Sequence, residues 1–225
     1  MIKTKKRGQL YVVSGPSGCG KDTIVQELLK RKDNIWLSIS CTSRLPRPKE
    51  KDGVDYFFKT VEEFEEDIKN NEFLEYAKFA DNYYGTPKKS IDNHLNNGED
   101  VILVIEIQGA LKIKELLPDT LFIFILPPSM KELKRRLLGR GTETKEKIDK
   151  RFLRAYEEIN EVNKYNYVVV NDEVKNAVEK VEAILLSEKC RVDRIEEVYL
   201  GNEEEELHEI LVDKDLENRE LELWC

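Results

Sequence analysis

Histidine and cysteine are scarce in this chain of 225 residues, and long apolar runs are missing. Four cysteines, Cys19, Cys41, Cys190 and Cys225, are scattered without metal-ligand spacing. That pattern speaks for reduced thiols in a cytoplasmic setting rather than for a metal site. The two histidines, His94 and His208, have no evident partner and are expected at the surface. No apolar run is long enough to span a bilayer, and no signal-peptide pattern opens the chain. The basic stretch Lys3-Thr4-Lys5-Lys6-Arg7 lacks the apolar region that a signal requires and reads as a solvated tail. An excess of positive charge is also missing. The net charge is −8, and residues 201–225 hold ten acids and two bases, so the remainder is neutral overall. The acidity belongs to the tail, and it argues against a nucleic-acid polymer as partner. There is no internal repeat, and low complexity is confined to Glu203–Glu206.

What is present is alternation. Five β-branched, apolar runs read as buried parallel strands: Gln9–Ser14, Leu37–Cys41, Val101–Ile105, Leu121–Leu126 and Tyr167–Val170. Helical patterns lie between most of them. Thr60-Val61-Glu62-Glu63 and Ser129-Met130-Lys131-Glu132 have the form of capping boxes, and Pro87 suits the first turn of a helix. The expected fold is α/β with a parallel sheet. The length allows one such domain with an insertion or lid, or two small domains. Ser43 to Leu95 breaks the rhythm. Its aromatic runs, Tyr56-Phe57-Phe58 and Phe73–Phe79, predict the small strands of an inserted subdomain, with Phe57 and Phe73 as plain core.

The stretch Gly15-Pro16-Ser17-Gly18-Cys19-Gly20-Lys21-Asp22-Thr23 carries the most chemistry. It lies between an apolar strand and a helical pattern, the context that makes a glycine-rich turn a phosphate cradle. Backbone N–H groups would face the anion, and Lys21 would reach the β- and γ-phosphates of a nucleotide. Asp22 stands where a Ser or Thr hydroxyl normally meets Mg²⁺. It has two readings: hydrogen bonds to Mg²⁺-bound water, or capping of the helix N-terminus.

A second constellation lies in the insertion. Arg44 and Arg47 flank Pro46 three residues apart, a pattern suited to bidentate binding of a phosphate monoester. Tyr56 and the pair Tyr83-Tyr84 add hydroxyls. Glu75 sits in the apolar context Phe73-Leu74-Glu75-Tyr76-Ala77, where a carboxylate needs a partner. A local lysine such as Lys78 is one. Guanine, with its N1–H and 2-amino donors, is another; adenine has no donor at either place.

These motifs together resemble the guanylate kinase family. The likeness runs from about Gln9 to about Ser187. It includes G-P-S-G-x-G-K, S-x-S-x-T-S-R-x-P-R, D-G-x-D-Y, E-F-L-E-Y-A, N-Y-Y-G-T, the pair Gln108-Gly109, G-R-G-T-E-T and V-V-V-N-D. The resemblance implies a P-loop, five-stranded parallel sheet flanked by helices, with an inserted GMP-binding subdomain and a helical lid. It implies in-line transfer of phosphate from Mg²⁺·ATP to GMP or dGMP. By the same resemblance, Arg44, Arg47, Tyr56 and Tyr84 would hold the GMP phosphate, and Ser40, Glu75 and Thr86 would read the guanine. Glu106 stands where the family has an acid near base and metal, usually Asp. An acid that some members carry two positions earlier is Val104 here. Arg136, Arg140, Arg151 and Arg154 would belong to the lid and its flanks, and Asn171 would lie beside the adenine.

The implied division is a core of residues 1–42, 96–135 and 155–190, an insertion of 43–95, a lid of 136–154 and an acidic extension of 191–225. The expected partners are the small-molecule substrates alone, with the chain a monomer or a homodimer. The lid also has support of its own. Arg136 and Arg140, and Arg151 and Arg154, are spaced to share helix faces, with the hinge-like stretch Gly139-Arg140-Gly141-Thr142 between them. Arginines arriving on closure would neutralise phosphate charge and exclude water. A solvated helix face is the plainer alternative. Two rival functions compete. A kinase for another small phosphate, such as ribose 1,5-bisphosphate, is opposed by the full set Arg44, Arg47, Tyr56, Glu75 and Tyr84. A non-catalytic phosphoprotein-binding module is opposed by Lys21, which such modules typically lose.

Overall fold

The computed structural model describes residues 2–4, 7–48, 50–79, 81–138 and 145–198. Arg140, His208 and the acidic segment 201–225 lie outside the described residues. Two compact units are present: residues 6–184, and residues 1–5 with 185–225. In the smaller unit, β1 (Ile2–Thr4) pairs antiparallel with a final strand, Ile195–Val198.

The larger unit begins with β2 (Leu10–Ser14), α1 (Lys21–Leu29) and β3 (Ile35–Leu37). Next come β4 (Cys41–Thr42), β5 (Phe57–Phe58), α2 (Val61–Lys69), β6 (Phe73–Phe79) and β7 (Asn82–Pro87). Then follow α3 (Lys88–Asn96), β8 (Asp100–Val104), α4 (Ile107–Leu116) and β9 (Leu121–Leu126). The last elements are α5 (Met130–Leu138), α6 (Lys145–Ile159), β10 (Tyr167–Val170) and α7, which starts at Val174.

Five strands form an all-parallel sheet in the order β10-β9-β2-β8-β3. Strands covered on both faces can be apolar without alternation. Accordingly, Leu10 to Ser14 are all buried, as are Leu121 to Ile125. Leu10, Val12, Val101, Leu103, Ile113 and Phe122 belong to one core cluster. Because the strands are parallel and in register, Ser14, Val104, Leu126 and Val170 end at one edge of the sheet. Open α/β sheets bind ligands outside the carboxyl ends of their strands.

The second strand departs from expectation. Leu37–Cys41 was expected to be one buried strand, but the main-sheet strand stops at Leu37, and Cys41–Thr42 joins a second sheet of order β5-β4-β7-β6. Cys41 pairs antiparallel with Gly85, so the chain changes sheets within a few residues. Apolar pattern alone cannot show such a switch, because the alternation Leu37-Ser38-Ile39-Ser40-Cys41 runs through it without interruption. The predicted strands at Phe57–Phe58 and Phe73–Phe79 are in this second sheet. Phe64 of α2 is fully buried there, stacked on Phe73 and Tyr83 at 4.5 and 5.2 Å between centroids. Helix α3 contributes Ile91 and Leu95 to the main core. Helices α5 and α6 share a further cluster of Leu133, Leu137, Ile148 and Ala155.

The two capping signals part ways. Thr60 makes the full reciprocal box with Glu63. Ser129 Oγ accepts from the Glu132 N–H at 3.1 Å, but the Glu132 carboxylate is taken up by Arg135 and Arg136 instead. Charge-assisted bonds outcompete a neutral backbone donor. His94 also corrects its surface assignment. Its ring stacks on Trp36 at 4.0 Å, and Nδ1 lies 2.5 Å from Glu99 Oε2.

Because Phe64 joins α2 to the second sheet, Phe64→Ala should cost about 3–5 kcal/mol through lost burial and a residual cavity. Chemical denaturation of the purified variant checks this, and a loss below about 1 kcal/mol would mean that α2 does not anchor that sheet.

Candidate active site

The phosphate loop leaves the central strand β2 and feeds α1, as the sequence predicts. Two glycines are dictated by geometry. Gly20, the residue before α1, has φ of 94°, and a Cβ there would stand 2.4 Å from Asn171 Nδ2. Gly15 has φ of 147°, and its Cβ would stand 2.3 Å from the Ile125 carbonyl oxygen. Both are left-handed backbone positions that side chains rarely adopt. The Cys19 N–H donates to the Pro16 carbonyl at 3.1 Å, which tightens the turn around Ser17 and Gly18.

Lys21 is buried, and its Nζ donates to the Gly15 carbonyl at 2.7 Å. Burial favours loss of the proton, yet nearby groups, among them Glu106, Asp22 and Glu158, hold its pKa above the ordinary value. It therefore stays an ammonium. Cys19 behaves oppositely: burial pushes its thiol up and leaves it neutral. Its carbonyl accepts from Asn171 Nδ2 at 2.8 Å and Arg136 Nη1 at 3.3 Å. Arg136 also donates to the Asn171 carbonyl, so α5 and the end of β10 brace the loop. Arg151 of α6 donates to Ser17 Oγ. Asp22 and Thr23 are exposed on the first turn of α1. The cap position is Gly20, so Asp22 acts on the helix through its charge rather than as the cap residue.

Two acids border the lysine. Glu106 is exposed and precedes α4 directly, one residue beyond Ile105. Glu158 is buried and accepts from Arg154 Nε at 2.8 Å. Burial, reinforced by Glu106, raises the Glu158 pKa against the pull of Arg154 and Lys21.

The second sheet brings the other expected residues together. Arg44 lies beside the rings of Tyr56 and Phe58, with Cζ 5.5 and 5.8 Å from their centroids. Tyr56 meets Tyr84 edge-on at 6.1 Å. Burial, with Asp22 and Tyr84 adding, pushes the Tyr56 hydroxyl up to about 12. The tyrosine pair divides between faces, because successive strand residues alternate. Tyr84 goes to Tyr56, while Tyr83 stacks on Phe64 and bonds Glu65. Arg47 is exposed. Ser40 is half-buried in the link between the two sheets, and its carbonyl accepts from the Phe57 N–H.

Glu75 and Thr86 face each other across β6 and β7, both buried, and Thr86 Oγ1 donates to Glu75 Oε1 at 2.8 Å. Gly109, in the first turn of α4, makes this possible: a Cβ there would stand 2.8 Å from Glu75 Oε2. Burial raises the Glu75 pKa, while Thr86 and Lys112 work against the rise. The alternative partner Lys78 instead lies over the Tyr83 ring.

Two acids escaped the sequence reading. Glu50 forks onto Arg44 at 3.0 Å through both oxygens, and Glu158 anchors Arg154. For Glu158 a signal existed, since it lies four residues after Arg154 on one helix. Glu50 lies in a proline-rich turn with no periodicity to expose it.

A sequence model of the guanylate kinase family matches residues 7–188. A guanylate kinase of Clostridium perfringens is 57% identical over 212 residues, covering 94% of this chain and 98% of the relative. One from Caldanaerobacter subterraneus is 56% identical over 204 residues, covering 91% and 99%. The crystal structure of guanylate kinase from Anaplasma phagocytophilum superposes with a TM-score of 0.73 at 35% identity, covering 87% and 93%.

The raised Glu75 pKa has a consequence for stability. Folding favours its protonated form, so its contribution is intact below the unfolded value of about 4.3 and is lost as pH rises through the raised value. Glu75→Gln should therefore raise Tm at pH 7, with the gain vanishing toward pH 4. Calorimetric melting across that range checks the sign; an equal or lower Tm at pH 7 would show that the carboxylate is well compensated.

Proposed function

Because the chain belongs to the guanylate kinase family and is an enzyme that phosphorylates GMP, we propose that the phosphate loop holds ATP and the pocket of the second sheet holds GMP or dGMP. The observation that carries this reading is the buried Glu75–Thr86 pair over Gly109, on the sheet that also carries Tyr84, whose ring meets Tyr56 beside Arg44. A carboxylate can accept from guanine N1–H and the 2-amino group together, and Thr86 and Ser40 complete the edge. Arg44, Arg47, Tyr56 and Tyr84 receive the GMP phosphate. Glu106, at the shared rim, faces the base or the metal.

On the donor side, Gly15 to Thr23 wrap the phosphates with backbone N–H groups. Lys21 exchanges the Gly15 carbonyl for a phosphate oxygen, since its charge is retained. Arg136, Arg140 and Arg151 neutralise the charge that spreads over the transferred phosphoryl group, with Arg154 flanking them. Arg136 and Asn171 border the adenine. The GMP phosphate is already anionic at neutral pH, so the protein need supply neither base nor covalent nucleophile. Residues 43–95 and 136–154 close toward a core of 1–42, 96–135 and 155–190.

The donor set fits Mg²⁺, because Asp22 places an exposed carboxylate oxygen on the first turn of α1 beside Lys21. Asp22 would hold it through bound water, which Mg²⁺ retains readily. Bound there, Mg²⁺ would offset the negative charge of the phosphates. Among the described residues, no helix is long and apolar enough to cross a membrane, and Cys19, Cys41 and Cys190 are free thiols. We place the enzyme in the cytoplasm.

A substrate panel of GMP, dGMP, AMP, UMP and ribose 1,5-bisphosphate with Mg²⁺·ATP tests the reading; turnover of AMP or the bisphosphate above GMP would sink it. Lys21→Ala should lower kcat by about 10²-fold or more in a folded protein. Glu75→Gln should raise KM for GMP about tenfold to a hundredfold, from the roughly 1.5–3 kcal/mol of a charge-assisted bond. KM for ATP should stay within a factor of about two, since Glu75 lies outside the donor site. Equal effects on both substrates would place Glu75 outside the base pocket.

A further inference from the structure

Glu50 bonds both arginines assigned to the GMP phosphate. Its two oxygens accept from Arg44 Nη2 and Nη1, each at 3.0 Å. Oε2 also accepts from the backbone N–H of Arg47 at 2.7 Å. The Glu50 N–H returns a bond to the Arg47 carbonyl at 3.0 Å, closing the turn across Pro48. Arg44 Nη1 donates in addition to the Leu45 carbonyl at 2.6 Å. One carboxylate therefore ties down the guanidinium of Arg44 and the backbone of Arg47.

The edge of the guanidinium that Glu50 takes is informative. A guanidinium offers an end-on fork, Nη1 with Nη2, and a side-on fork, Nε with Nη2. Glu50 occupies the end-on fork. Arg44 Nε is buried and has no hydrogen-bond partner among the described residues. A buried donor left unpaired is unfavourable unless a ligand completes it. The Tyr56 and Phe58 rings lie beside the same guanidinium.

We infer that Glu50 is a positioning residue: it fixes the Arg44 guanidinium and the Arg47 turn, so that both arginines are already ordered when the phosphate of GMP arrives. This rests on the reading that Arg44 and Arg47 receive that phosphate. A long arginine side chain ordered before binding loses less entropy when the ligand arrives. Burial works against the charge on Glu50, but Arg44 and the Arg47 backbone hold its carboxyl below the ordinary value, so it remains an anion in a neutral assay.

The test uses the full-length enzyme with ATP, GMP and phosphate-free guanosine. Glu50→Gln and Glu50→Ala should raise KM for GMP about tenfold, the scale of one disordered side chain plus one weakened charge-assisted contact. Inhibition by guanosine and KM for ATP should move less than about twofold, because neither ligand meets the Arg44 fork. Glu50→Asp keeps the charge but loses reach, and should fall between wild type and Glu50→Gln. Arg44→Ala with Glu50→Ala should be no worse toward GMP than Arg44→Ala alone. Glu50→Gln is nearly isosteric and keeps the comparison available should Glu50→Ala fail to fold. An unchanged KM for GMP in folded Glu50→Gln overturns the proposal. A lowered KM also overturns it, since Glu50 would then be an anion that the phosphate must displace. Equal losses toward guanosine and GMP reduce Glu50 to a scaffold of the turn and overturn it as well. Arg44→Ala with normal KM for GMP shows that the underlying phosphate-site reading is the part that fails.

Discussion

The bond from the Lys21 ammonium to the Gly15 carbonyl closes the phosphate loop on itself, and the rest of the site is arranged around that closure. It requires a buried cation, which is unfavourable unless neighbouring anions or dipoles offset it. Glu106, Asp22 and Glu158 supply the anions. Their presence keeps the lysine charged. The loop around it is held from outside by Asn171 and Arg136, both bonded to the Cys19 carbonyl. Contacts from α5, α6 and the end of β10 thus converge on a segment of nine residues.

The second site follows the same logic with the signs exchanged. Glu75 is a buried anion whose partner in the free protein is one hydroxyl, that of Thr86. Lys112 helps only at a distance. Such an arrangement lowers stability at neutral pH and reserves acceptor capacity for donors that arrive with a ligand. Arg44 is a half-buried cation whose charge is met by Glu50 while its Nε waits. In both places the free protein tolerates incomplete pairing, and each gap has the polarity opposite to a part of GMP. On the proposed reading, guanine would bring donors to Glu75, and phosphate would bring acceptors to Arg44.

Much of this was legible because the relevant signals are local. The strands Leu10–Ser14, Leu121–Leu126 and Tyr167–Val170 lie where continuous apolar runs predict them, since burial on both faces leaves no alternation to misread. The loop Gly15–Thr23 was legible because left-handed backbone positions demand glycine at fixed spacing. Glu75 was conspicuous as a charge within an apolar strand. The partners of these residues were not legible. Gly109 is 34 positions from Glu75 in sequence, and only the packing of α4 on the second sheet shows why a side chain there is excluded.

The sequence by itself determined most element types and the glycine-rich loop, because periodicity and glycine placement are written residue by residue. Tertiary structure alone decided where the chain leaves the main sheet after Leu37, which of Tyr83 and Tyr84 faces the arginine, and that His94 stacks on Trp36. It also decided that Glu50 and Glu158, unremarkable among many surface acids, hold Arg44 and Arg154. The physical reason is common to all of them. Pairing energies depend on distance and burial, and a chain of 225 residues with 45 acids and 37 bases offers far more possible pairs than its fold brings within reach.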